Sequence, residues 1–182
     1  MRPIQRGSAL HLQRSASRGA DDAEVVPHSI CPLSERTEGF FCEVMIMTVS
    51  EKAVLLHGQG YNCAQSVLAA CGEYTGMDEK TALAIAGGFG GGMRCGEMCG
   101  AVSGALMAVG LCCPYNDASD TEAKVKIATL AKALTRDFHD NFGCVRCLEL
   151  KREGISCDEL IAYEAEKAEK MIKDNKYFYG GK

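Results

Sequence analysis

Residues 97–114 read EMCGAVSGALMAVGLCCP, and how this stretch folds decides the class of the whole chain. Its small and apolar residues suit a helix over about Glu97 to Cys112, which Pro114 ends because proline cannot continue the backbone ladder. Gly100 and Gly104 stand one turn apart, with Ala101, Ala105 and Ala108 nearby, so another helix can approach this face closely. The apolar run from Met98 to Cys113 carries three glycines. It falls short of the roughly 20 residues a membrane span requires. The stretch therefore reads as a buried helix in a soluble bundle.

The flanking segments repeat the helical signal. Ser50 is placed to cap a helix over 51–57, which ends at Gly58-Gln59-Gly60. Asn62 caps a second helix to about Glu73, with Val67, Leu68 and Cys71 at helical spacing. Asp78 opens a third, Glu79 to Ala86, which runs into Gly87-Gly88-Phe89-Gly90-Gly91-Gly92, too glycine-rich for a regular element. Beyond Pro114, Ser119-Asp120-Thr121-Glu122 is a capping-box pattern opening a long helix to about Asp140. A short turn follows near 144–151, and a last helix runs from Cys157 or Asp158 to about Lys173. No run of alternating β-branched residues occurs. The expected fold is all-α: a compact bundle of about five to six helices with a glycine-rich loop.

Residues 1–46 differ in composition, with five Arg, no Lys and three of the four Pro. They read as a disordered tail or a mis-assigned N-terminal extension, with Met45 or Met47 as the natural start, leaving 47–182 as the domain. They hold neither the apolar core of a secretory signal nor an Arg-Arg pair, so a cytoplasmic location is expected. A formal charge of −4 argues against nucleic acid as a partner.

The chain of 182 residues carries 11 cysteines, which is the unusual feature. Cys31 and Cys42 lie in the N-terminal segment. Cys71, Cys112 and Cys113 read as packing, since free cysteine is among the most buried residue types. Six others are placed differently. Cys95 and Cys99 straddle the start of a helix, Cys144 and Cys147 form a CxxC, Cys157 follows ten residues later, and Cys63 lies in a first helical turn. Helix N-termini lower thiol pKa and favour metal ligation and redox chemistry. A disulfide scaffold needs an oxidising compartment. Leu148 after Cys147 rejects covalent haem. The glycine stretch misses GxGxxG and follows a helix, so nucleotide binding is not the expected role. Spacing alone leaves zinc, an iron–sulfur cluster and a dithiol open. His57 and His139 read as surface or capping residues. Glu159, Glu164, Glu166 and Glu169, interleaved with Lys167, Lys170 and Lys173, read as one solvated helix face.

Taken in order, these motifs resemble a known family. Gly60-Tyr61-Asn62-Cys63-Ala64-Gln65-Ser66-Val67, then Gly87-Gly88-Phe89-Gly90-Gly91-Gly92-Met93, then Cys99-Gly100-Ala101-Val102-Ser103-Gly104, then Phe142-Gly143 leading to Cys147, and finally Cys157 are similar to the C-GCAxxG-C-C family of redox-active proteins, over about residues 49–172. The resemblance implies four hallmark cysteines, here Cys63, Cys99, Cys147 and Cys157, with an iron–sulfur cluster as the favoured prosthetic group. Cys95 and Cys144 are extra to that pattern. On this footing the expected activity is electron transfer or redox sensing through a cluster held by those four residues. Thiol–disulfide exchange is the first alternative, and a structural zinc domain the second. The expected partner is a redox protein, with no membrane association. The GxxxG-like face also suggests a homo-oligomer.

Overall fold

The computed structural model describes residues 47–176. The expectations for 1–46, with Cys31 and Cys42, lie outside the described residues. Among the described residues the regular elements are helices: α1 Val49–Gly58, α2 Cys63–Ala70, α3 Gly72–Thr75, α4 Glu79–Ala86, α5 Gly100–Cys112, α6 Thr121–Phe142, α7 Cys147–Arg152 and α8 Cys157–Lys176. A single π-type turn, Gly92–Gly96, precedes α5. The all-α class holds, with more elements than the five or six expected.

The differences have local causes. The cap of α1 is Thr48 rather than Ser50, because Thr48 and Glu51 satisfy each other's backbone N–H groups in a capping box. The helix expected from 62 to 73 breaks at Cys71, and the short α3 ends at the left-handed Gly76. Gly72, a poor helix former, follows that break. α5 starts at Gly100, not Glu97, because residues 97–99 are extended. Met98 pairs antiparallel with Arg146, and Cys99 N–H donates to Val145 O at 2.8 Å while Cys147 N–H donates to Glu97 O at 2.6 Å. For α6 the cap is Asp120, whose carboxylate accepts from Ala123 N–H at 2.8 Å, and the left-handed Gly143 ends the helix.

α2, α5 and α8 form the centre of the bundle, with α1 packed on α2 and α8. Their buried side chains include Val67, Leu68, Val102, Val109, Ile161 and Ile172, joined by Leu134 and Phe138 from α6. The small face of α5 serves this packing within the chain. A Cβ on Gly104 would stand 2.6 Å from Ala64 O, and one on Gly100 would stand 3.2 Å from Cys63 Cβ. α2 thus occupies the face that suggested a second copy. Among the described residues no helix is long and apolar enough to cross a membrane.

Candidate functional site: four cysteines at four helix starts

Each hallmark cysteine begins a helix. Cys63 opens α2, Cys99 is the N-cap of α5, Cys147 opens α7 and Cys157 opens α8. The contacts that bring these starts together are all tertiary. α5 lies against α2 at Gly100, directly beside Cys63. The paired backbone at 97–99 and 145–147 sets Cys99 beside Cys147. Gly92 in the π-type turn packs under Cys147, where a Cβ would come within 2.8 Å of the cysteine Cβ. Cys157 is brought in by α8, whose first turn is tied to the end of α1 by His57 Nδ1 and Asp158 Oδ1 at 2.6 Å. His57 is therefore a tether between helices rather than a cap.

The sulfurs interact with one another as a result. Cys157, Cys99 and Cys147 all lie near enough to Cys63 to disfavour its thiolate, Cys157 most of the three. Cys99 and Cys147 interact in turn, as do Cys147 and Cys157. Cys63, Cys99 and Cys147 are buried, and Cys157 is half-buried.

Burial reverses one expectation from the sequence. Helix N-termini were expected to lower these thiols, and the N–H groups of Ala101 and Val102 do act on Cys99 in that direction. Desolvation outweighs them, because an isolated thiolate in an apolar pocket loses more hydration than two amides return. Cys99 is pushed up to about 11 and Cys63 to about 12, in both cases by burial first and neighbouring thiols second. Cys147 is raised as well, again chiefly by burial. Cys63, Cys99 and Cys147 are thus neutral thiols near pH 7.

The loops around them give the motif residues a chemical role. Asn62 caps α2 through Ala64 and Gln65 N–H, and its amide donates to Gly87 O at 3.1 Å. Gln65 donates to Leu83 O at 2.8 Å. These bonds pin the glycine stretch over α2, and only glycine fits at 90, where a Cβ would overlap Asn62. The glycines thus make room for a protein side chain. Met93 and Arg94 follow in the left-handed region, with φ of 55° and 63°, a strained pair beside the centre.

The remaining thiols do not join the four. Cys95 is exposed and donates to Gly92 O; Cys144 is half-buried near Arg146 O. Cys71 and Cys113 are buried elsewhere in the bundle, and Cys112 donates to Tyr74 O at 3.5 Å.

A residue missed by the sequence reading adjoins the site. Glu164, assigned there to a solvated face, is fully buried, and its charge reaches Cys99. The signal was available: Ile161, Glu164, Ala168 and Ile172 continue one helical stripe, and Glu164 interrupts an otherwise apolar series.

Four thiols are a fitting donor set for a soft metal or an iron–sulfur cluster. As the side chains stand, however, among the described residues no group of three or more His, Cys, Asp or Glu is gathered tightly enough to hold a metal ion. The thiols lie in mutual range without closing around a common point. A family model with the description "Putative redox-active protein (C_GCAxxG_C_C)" matches residues 61–171. No curated protein and no solved structure matches the chain.

Proposed function

The chain belongs to the C_GCAxxG_C_C family of redox-active proteins, and from that we propose that Cys63, Cys99, Cys147 and Cys157 are its redox centre. The observation that supports this most is the gathering of four helix-starting thiols from four distant parts of the sequence, while the extra Cys95 and Cys144 stay outside.

Two chemistries suit such a centre. Thiol–disulfide exchange is favoured by the nearness of Cys63 to Cys157, the latter being the most accessible of the four, and by the open spacing of the set. Cys157 meets a partner's disulfide and Cys63 resolves the mixed disulfide. An iron–sulfur cluster is favoured by the presence of four thiols, each at the positive end of a helix, where negative charge is stabilised. Such a group would be held by the same four residues and would supply a one-electron couple for transfer or sensing to a partner protein. Zinc on the same sulfurs would give a structural site without redox chemistry.

Element analysis separates these readings. Anaerobically purified and reconstituted protein that is brown, with iron and sulfide in equal amounts, carries a cluster. Protein without iron that forms a reversible Cys63–Cys157 disulfide is a dithiol enzyme or carrier. One tightly held zinc with no redox couple would overturn the redox centre altogether.

A further inference from the structure

α2 and α5 run side by side in the same direction, with Gly100 against Cys63 and Gly104 against Ala64 and Val67. Their starts carry Cys63 and Cys99. Their far ends carry a second pair of thiols: Cys71 is the C-cap of α2, and Cys112 is the last residue of α5. One residue joins these two. Tyr74, in the single turn of α3, donates its N–H to Cys71 O at 3.0 Å, and its carbonyl accepts from the Cys112 thiol at 3.5 Å. The Tyr74 hydroxyl donates to Glu169 of α8 at 2.8 Å, which fixes that turn beside the end of α5. After burial itself, Cys112 is the group that most disfavours the Cys71 thiolate. The two thiols differ in access. Cys71 is 0% exposed, whereas Cys112 is half-buried. Cys71 also stands at the break between α2 and α3, with φ of −77° and ψ of 8°, so its backbone is not locked inside a continuous helix. That matters because a disulfide requires Cα atoms within about 7 Å and a defined torsion, which small backbone shifts supply.

We propose that Cys71 and Cys112 are a second dithiol site, which a small-molecule disulfide closes into a bond between the α2–α3 junction and the end of α5. Cys112 is the entry thiol and Cys71 the resolving thiol. The Cys112 sulfur, its proton lost to water, attacks one sulfur of the small disulfide. That S–S bond breaks, a mixed disulfide forms on Cys112, and the first small thiolate leaves and takes up a proton. Cys71 then loses its proton to water and attacks the Cys112 sulfur. The Cys71–Cys112 bond replaces the mixed disulfide, and the second small thiolate leaves and is protonated. Two protein thiols are oxidised and one small disulfide is reduced to two thiols, so electrons and protons balance. Burial pushes Cys71 up to about 12, which keeps its thiolate scarce and closure slow, on the minutes-to-hours scale of uncatalysed exchange. The site is a slow clamp on the end of the α2–α5 pair remote from Cys63 and Cys99. It is independent of what the four-cysteine centre holds.

The test uses the full chain, reduced and freed of metal by a chelator, then held with hydroxyethyl disulfide at mildly alkaline pH for several hours. Acid quenching and mass spectrometry map the products. Wild type should yield a peptide pair cross-linked through Cys71 and Cys112, with little hydroxyethyl adduct left on Cys112. Cys71→Ala removes the resolving thiol and should hold at least about ten times more of that adduct, because a positioned intramolecular thiol outcompetes one in solution. Cys112→Ser should leave Cys71 an unreacted thiol over the same period. This second variant changes a half-buried position and covers the case in which Cys71→Ala fails to fold. Wild type in which Cys112 keeps the adduct while Cys71 stays a thiol overturns the proposal, as does equal adduct in wild type and Cys71→Ala. A bond from Cys112 to Cys113 or to any cysteine other than Cys71 overturns it, and so does a Cys71 disulfide that forms without Cys112. Wild type in which Cys112 never reacts overturns it too. Disulfides among Cys63, Cys99, Cys147 and Cys157 are read from the same map, so the four-cysteine centre stands or falls separately.

Discussion

At the scale of single residues, Glu164 sets what the fold sacrifices to keep an acid beside the cysteines. An unfolded glutamate ionises near 4.5, whereas here burial holds the proton up to about 8. Between those values the unfolded chain has lost a proton that the folded chain keeps, so stability from this group is present below about 4.5 and is lost as pH rises towards 8. At about 1.4 kcal/mol per pH unit, discounted for relaxation around the site, the loss is on the order of 3 kcal/mol. Urea unfolding near pH 5 and near pH 8 should show it. Glu164→Met should flatten the difference and be more stable at pH 8 by about 2 kcal/mol; a variant less stable than wild type at pH 8 would contradict this account. The cysteines make a second residue-scale prediction. Cys63→Ser or Cys157→Ser should abolish the reversible redox couple, while Cys95→Ser, exposed and outside the four, should leave it unchanged in a redox titration.

At the scale of elements, the α2–α5 contact positions Cys63 and Cys99, and it depends on hydrogen atoms where other residues have a Cβ. Gly104→Ala pushes a methyl group onto the carbonyl of Ala64, a backbone atom that cannot rotate away. Overpacking of this kind costs about 1–3 kcal/mol, and denaturant unfolding should report a loss in that range together with a weakened redox couple. Asn62→Ala removes the cap of α2 and its bond to Gly87 at once. The expected cost is about 1–2 kcal/mol, with the glycine stretch loosened in hydrogen exchange. Much of this level was legible in the sequence. Asn62, Asp78 and Pro114 mark helix ends by their own chemistry, and the turn-spaced glycines of α5 announce a close helix neighbour. The pairing of 97–99 with 145–147 was not legible, since it joins residues nearly fifty positions apart and neither segment has a strand pattern. Nor was the break at Cys71, where a helix-compatible run gives way because Gly72 offers little resistance.

For the molecule as a whole, the four helix starts meet at one place, so oxidation there should staple the bundle. A Cys63–Cys157 bond closes most of the described chain into one loop. Loop-closure entropy then allows a stabilisation of up to about 4.5 kcal/mol. The denaturant midpoint of the oxidised protein should fall on adding a reductant, and an unchanged midpoint would mean that the bond is strained or does not form.

The sequence alone determined that residues 47–176 are mainly helical, where most of their helices begin and end, and which cysteines stand out from packing. Those are properties of short range, because caps, glycine breaks and the spacing of apolar residues act within a few positions. Only the tertiary structure decided that four of those cysteines come within range of one another while Cys95 and Cys144 stay outside. It also decided that the thiols of Cys63, Cys99 and Cys147 are raised rather than lowered, and that Glu164 is buried among apolar residues. Burial is the physical reason. Desolvation depends on everything packed around a group, and that comes from segments the local pattern cannot bring together.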